Sequence, residues 1–222
     1  MSLTLYFHPL SSYCHKVLIA FYENDTPFEP HFLNLGDEAV RASFASVWPM
    51  GKMPVLRDDA HNRTIPESSI IIEHLTRHYP GPMRFIPDDA DVALEARLWD
   101  RFFDLHMQNH MQKIVTDRLR PAGQGDSYGV EQAKTALRTA YDVLDRHLQG
   151  KTWAVGNVFT LADCAAAPAL FYSNMLLPFS GTHPNAAGYL DRLMERRSYA
   201  RVVEEAQPYL SLVPQEGGAV AT

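Results

Sequence analysis

The segment PGPMRFIPDDAD, running from Pro80 to Asp91, constrains this chain more than any other. Proline lacks a backbone N–H and its ring clashes with the preceding helical turn, so no helix continues through such a stretch. The texture differs on its two sides. Upstream, strand and helix signals alternate; downstream, every periodic run is helical. The expected organisation is therefore a small α/β unit over residues 1–80, a linker at 81–89, an all-helical unit over 90–213 and a frayed tail at 214–222. With 222 residues, 46% of them apolar, the chain has material for cores of that size.

In the first unit Leu3, Leu5 and Phe7 alternate with polar neighbours, the mark of a strand, and Pro9 ends it. Val17, Leu18, Phe21 and Tyr22 then recur at helical spacing. A second strand is expected near Phe28 to Leu33 and a helix over Asp37 to Val47, followed by two short strands and another helix before Tyr79. The turn-rich DDAHN between the last two strands suits an antiparallel hairpin beside an otherwise parallel start. In the second unit Leu94, Leu98, Phe102 and Leu105 predict one buried stripe on a helix reaching Arg120. Ala133, Leu137, Tyr141, Leu144 and Leu148 predict another, and further helices are expected to begin near Leu161, Pro184 and Tyr199.

Twenty Lys and Arg against 26 Asp and Glu leave a formal charge of −6, which argues against a nucleic-acid partner. No apolar run approaches the roughly 20 residues that span a bilayer, and the start lacks a basic n-region and cleavage site, so a cytoplasmic protein without membrane contact is expected. Cys14 and Cys164, the two cysteines, are expected as free thiols. No zinc-type cluster is evident and no metal is expected: His106 and His110 share a helical face, but no third ligand lies near them in sequence.

Three short segments carry chemistry. Ser11-Ser12-Tyr13-Cys14 lies between the first strand and first helix, where unpaired N–H groups and the positive end of the helix dipole favour an anion such as a thiolate. A serine there also serves as a plain N-cap. Met53-Pro54 opens a strand and suits either a trans bond, the default, or a cis bond in a tight turn. Pro66-Glu67-Ser68-Ser69 sets a carboxylate and hydroxyls at another helix start. Thr160 and Asp163 in FTLADC form a capping box with Phe159 as its staple, a folding feature, and Pro168 should bend the helix that follows.

The ordered set of SSYC, GKMPVL, PESSIIIEHL and FTLADCAAAPAL, followed by a helical second half, resembles the cytosolic glutathione S-transferases of the serine type over nearly the whole chain. The resemblance implies a thioredoxin-like α/β domain with an all-α domain behind it. It implies a detoxifying enzyme that takes glutathione as co-substrate and turns its thiolate on a small apolar electrophile. Ser11 matches the catalytic serine, Met53 before Pro54 would pair with the cysteinyl backbone of glutathione, Glu67 and Ser68 would hold its γ-glutamyl end and Lys52 its glycyl carboxylate. Ser12, Tyr13, Cys14 and Tyr6 remain alternative catalytic groups. His106, Met107, His110 and Met111 are candidates for the electrophile pocket, with core packing as the alternative for the methionines. A homodimer is implied as well, with Asp100 or Asp104 reaching the partner's glutathione and with Trp99, Phe102 and Phe103 supplying covered surface. Disulfide reduction, isomerisation and non-catalytic binding on the same fold are the other functions open to such a chain.

Overall fold

A computed structural model describes residues 2–214; the expectation of a frayed tail concerns residues that, beyond Pro214, lie outside them. The chain opens with β1 (Leu3–Phe7), α1 (Ser12–Glu23), β2 (Glu29–Phe32), α2 (Glu38–Val47), β3 (Val55–Asp58), β4 (Arg63–Pro66) and α3 (Ser68–His78). The sheet order is β2-β1-β3-β4, with β2 parallel to β1 and both later pairs antiparallel. Pro30 in β2 has no N–H to offer a neighbour, and β2 sits at the sheet edge with all four residues exposed. Leu3, Leu5, Val17, Leu18, Phe21, Ile71, Ile72 and Leu75 bury the sheet's helix-covered face.

The second unit holds α4 (Ala90–Phe102), a π-helical segment (Phe103–Gln108), α5 (Asn109–Arg118), α6 (Ser127–His147), α7 (Leu161–Leu176), α8 (Pro184–Glu195), α9 (Arg197–Ala206) and a final 3-10 turn (Gln207–Leu212). Helix α7 is the axis of the molecule, with twelve of its sixteen residues buried and α1, α4, α8 and the π segment packed around it. Pro168 lies within this helix, which continues past it to Leu176. Its start is fixed by the predicted capping box: Asp163 Oδ2 accepts from the Thr160 N–H at 2.7 Å, and Thr160 Oγ accepts from Ala162 N–H at 3.3 Å. The other Asp163 oxygen takes the Ala154 N–H at 2.9 Å and the Tyr189 hydroxyl at 2.5 Å, so one buried carboxylate ties three elements together. Phe159 is buried beside it, with the Arg196 guanidinium 3.8 Å above its ring.

The packing of α4 and the π segment departs from expectation. Leu94 and Leu98 are 66% and 62% exposed and Leu105 41%, whereas Ala93, Ala96, Trp99 and Phe103 form the buried face. Both stripes are apolar at helical spacing; the alanines win because α7 presents its own alanines, Ala165, Ala166, Ala167 and Ala169, and small residues on both sides let the helices approach closely. Two of the aromatic residues expected at a subunit contact instead fill their own bundle: Phe103 is fully buried, Trp99 nearly so, and Trp99 stacks on His147 at 3.6 Å between ring centres, while Phe102 is half-buried. Among the described residues no helix is long and apolar enough to cross a membrane, and Cys14 and Cys164 are free, buried thiols.

Candidate active site

A cleft of about 470 Å³ opens where the two units meet, at the N-termini of α1 and α3. Ser11, Lys52, Met53, Pro54, Glu67 and Ser68, chosen from three separate segments, all line it. They converge because each stands at the end of a sheet-bound element: Ser11 after β1, Met53 and Pro54 before β3, Glu67 and Ser68 after β4, and β1, β3 and β4 are neighbours in the sheet. The Met53–Pro54 bond is cis.

Ser11 is the N-cap of α1. Its hydroxyl oxygen accepts from the Cys14 N–H at 3.4 Å, a long contact that uses a lone pair and leaves the hydroxyl proton available to donate into the cleft. The first turn of the helix supplies N–H groups without intrahelical partners at the same place. Capping and presentation to the cleft, alternatives in the sequence, thus coexist in one residue. At the second helix start Glu67 takes a left-handed φ of 69° with ψ 114°, a conformation rare outside glycine, which sets its side chain at the cleft rather than over the α3 terminus; it makes no capping bond.

Three of the alternative catalytic groups are displaced by the geometry. Ser12 is buried and does not line the cleft. Cys14 is fully buried, and burial pushes its thiol up to about 12 although donors from Ser11 and His8 pull it down, so it is neither accessible nor ionised near neutrality. Tyr6 packs against His31 and Phe44 beneath α2, away from the cleft. Tyr13 does line it, donating to Asn109 Oδ1 at 3.3 Å; burial, and next the carboxylate of Asp104, raise its phenol far above the ordinary value, so it serves as a hydrogen-bond donor and not as a phenolate.

The helical wall of the cleft differs from expectation. Met107 and Met111 are buried in the core, His106 is exposed with its ring 5.5 Å from that of Phe102, and none of the four candidates including His110 lines the cleft. The wall consists of Arg101, Asp104, Leu105, Asn109 and Gln112. The helix is π-wound between Phe103 and Gln108, and the face it turns to the cleft is the one carrying Arg101, Leu105, Asn109 and Gln112, not the face of His106, Met107, His110 and Met111. Leu35, Trp48 and Gly51 complete the opposite rim. The signal that could have found the wall is its own spacing: 101, 105, 109 and 112 recur by four, four and three.

Asp100 and Asp104, expected to reach a partner's glutathione, are engaged within their own chain. They are 1% and 4% exposed and hold the buried Lys16, whose Nζ lies 2.6 Å from Asp100 Oδ1, 3.0 Å from Asp104 Oδ2 and 2.8 Å from Ser69 Oγ. Ser69 donates in turn to Asp100 Oδ2 at 2.8 Å, and Arg101 reaches Asp104 Oδ2 at 3.5 Å. Asp100 is thus enclosed by its own chain, whereas Asp104 also lines the cleft of its own subunit. Burial raises the Asp104 carboxyl above its ordinary range, against the pull of Lys16. This network joins α1, α3 and α4 directly beneath the cleft and fixes the two helix starts relative to each other.

Residues 5–83 match the family described as glutathione S-transferase, N-terminal domain, and residues 102–197 match its C-terminal domain. Glutathione S-transferase GstB of Escherichia coli is 26% identical over 90% of this chain and 97% of its own. FtsZ-localized protein A of Caulobacter vibrioides is 30% identical over 75% of each chain. A glutathione S-transferase of Methylobacillus flagellatus, solved with glutathione bound, superposes with a TM-score of 0.83 at 25% identity, covering 90% of this chain and 98% of that one.

Proposed function

The chain belongs to the glutathione S-transferase family, and on that premise we propose that its cleft binds reduced glutathione and activates the thiol for attack on a small electrophile. The observation that carries this reading is the convergence of Ser11, Met53-Pro54 and Glu67-Ser68 on one cleft at two helix N-termini. Helix starts favour negative charge, so the cleft suits a tripeptide with two carboxylates and a thiolate. Lys52 on the rim supplies a cation for the glycyl carboxylate, Glu67 and Ser68 meet the γ-glutamyl end, and the strand-edge backbone at Met53 pairs with the cysteinyl unit.

In the reaction the glutathione sulfur loses its proton to solvent, Ser11 donates a hydrogen bond to the resulting thiolate, and the sulfur lone pair forms the new bond to the electrophilic carbon. A halide leaves with its bonding pair or, for an epoxide or enone, the ring C–O or π bond breaks and its electron pair takes a proton from solvent. A free thiol with pKa about 8.5 is only a few per cent ionised at neutral pH, and each unit of depression is worth about 1.4 kcal/mol of preferential stabilisation of the anion. The electrophile occupies the helical side of the cleft. Arg101, Asn109 and Gln112 make that side polar, so it suits compounds with a carbonyl, nitro or carboxylate group beside the reactive carbon better than wholly apolar ones. Burial of Cys14 disfavours reduction through a protein mixed disulfide. A homodimer remains our reading, on different grounds from the sequence: Leu94 and Leu98 on α4 and Ile70 on α3 are large apolar residues left exposed by the monomer.

A second reading, a non-catalytic binding protein on the same fold, is favoured by one observation, the relative whose name describes localisation with FtsZ and no reaction. Retention on immobilised glutathione, followed by conjugation assays with aryl halides, epoxides, isothiocyanates and enones, separates the two. Binding with turnover supports the transferase; absence of binding at millimolar glutathione leaves the second reading.

A further inference from the structure

On the side of the sheet remote from β2, three elements bring potential metal ligands together. Asp58 ends β3, His61 lies in the β3–β4 turn and His74 sits midway along α3. Asp58 Oδ2 is 2.8 Å from His61 Nδ1 and 2.8 Å from His74 Nε2, and the three ligand atoms all lie within 4.8 Å of one another. The second Asp58 oxygen accepts from the Tyr79 hydroxyl at 2.9 Å and from the His61 N–H at 3.2 Å. The His78 ring flanks those of His61 and His74 at 4.4 and 4.5 Å. None of these residues lines the glutathione cleft.

We propose that Asp58, His61 and His74 form a binding site for one borderline divalent transition cation, Zn2+ being the reference, with water in the remaining position. Two imidazoles and a carboxylate are the donor set of such ions; the imidazoles disfavour Mg2+ and Ca2+, and the absence of a thiolate among the three disfavours soft monovalent copper. Three protein ligands with one exchangeable position is a recurrent zinc arrangement. Bonds of about 2.0–2.1 Å in a tetrahedral site separate ligand atoms by about 3.3 Å, so the two Asp58 contacts need open by about half an ångström, while His61 Nδ1 and His74 Nε2, within 4.8 Å of each other, adjust to the same separation.

The two bonding ring nitrogens must be free of hydrogen, and the balance is met by moving each ring proton to the other nitrogen of its imidazole, so the cation replaces the two protons now shared with Asp58. The Tyr79 hydroxyl on the far Asp58 oxygen supplies the orienting contact that metal-bound carboxylates keep. Burial of Asp58 and His74 gives a dry floor, while the exposed His61 provides the entry side. Arg63 and Arg77 line a neighbouring groove together with Glu73, His74 and His78; their charge opposes a cation, and Glu73 is already engaged by Arg97. The cation would clip the β3–β4 turn to α3, the helix whose first residue is Ser68.

Chelator-stripped, untagged full-length protein titrated calorimetrically with ZnCl2 at pH 7.5 tests the site, with Co2+ absorption in the visible as a report on coordination. The expected result is one saturable site, weakened at least tenfold in His61→Gln, an exposed position whose replacement leaves circular dichroism and glutathione retention unchanged. His106→Gln should bind as the parent does. Absence of saturable binding, or equal affinity in His61→Gln, overturns the assignment.

Discussion

Replacing Lys16 by methionine removes the cation at the junction of the two units and leaves its partners in place. Asp100 and Asp104, 1% and 4% exposed, then share a buried space with only the exposed Arg101, 3.5 Å from Asp104 Oδ2, as counter-charge, and Ser69 loses one of its two hydrogen-bond partners. Breaking a buried ion pair from one side costs roughly 3–5 kcal/mol, because the surviving charge keeps its desolvation penalty. For a chain of this length about 1 kcal/mol moves the unfolding midpoint by roughly 2–4 °C, so a fall of roughly 6–20 °C is expected. The variant relieves the conflict by protonating a carboxyl. A carboxyl whose folded pKa lies above its unfolded value binds more protons in the native state, so its stabilising contribution is present at low pH and is lost as pH rises. The deficit of Lys16→Met should therefore be larger at pH 8 than at pH 5. Asp104→Asn in the same background should recover part of it, giving a coupling energy on the order of 0.5–3 kcal/mol. Urea titrations of the four proteins at both pH values make the measurement. A loss below about 1 kcal/mol, or a deficit independent of pH, would refute the claim that this network joins the units.

Other consequences are as direct. Glu67→Gly should hold or raise stability by up to about 1 kcal/mol, since glycine accepts the positive φ, yet weaken glutathione binding severalfold; a loss of stability would contradict the backbone argument. His15 is fully buried, donates to the Pro9 carbonyl, and is lowered by burial to about 4, so the native state resists protonating it and stability falls as pH drops below about 6.5; in His15→Gln the corresponding component, about 3 kcal/mol by pH 4, should vanish from the pH dependence of urea unfolding. Cys14 and Cys164 should react with a thiol reagent at pH 8 only at the rate of unfolding, and fast labelling of Cys14 in the native protein would revive it as a catalytic candidate. Thr160→Ala should cost about 1 kcal/mol through the lost cap.

What the sequence made legible was chemistry settled locally. The hairpin at DDAHN, the capping box at Thr160 and Asp163, and the helix starts at Leu161 and Pro184 depend on a few adjacent residues, and the structure has each of them. The motif residues Ser11, Met53, Pro54, Glu67 and Ser68 were legible for the same reason, since each is the special end of an element and the sheet order then brings the ends together. The face of α4 was not, because Leu94 and Leu98 are as apolar as Ala93 and Ala96, and the choice is made by alanines of α7 about seventy residues away. The cleft-facing side of the helix from α4 into α5 was not legible either: Arg101, Leu105, Asn109 and Gln112 recur at helical spacing just as His106, Met107, His110 and Met111 cluster on another face, and only the packing of Met107 and Met111 into the core decides between them. Lys16 did leave a trace: a lone charge beside Val17, Leu18 and Ile19 in a buried helix needs a partner, and Asp100 and Asp104 were available.

On the proposed function, this cleft makes glutathione a thiolate by means of Ser11. Ultraviolet titration of the thiolate in the bound complex, compared between the parent protein and Ser11→Ala, tests it most directly. The expected result is a bound thiol pKa at least one unit below that of free glutathione, near 8.5, and its return toward the free value in Ser11→Ala with glutathione still bound. A bound pKa equal to the free one, or a depression that survives the loss of the Ser11 hydroxyl, would contradict it.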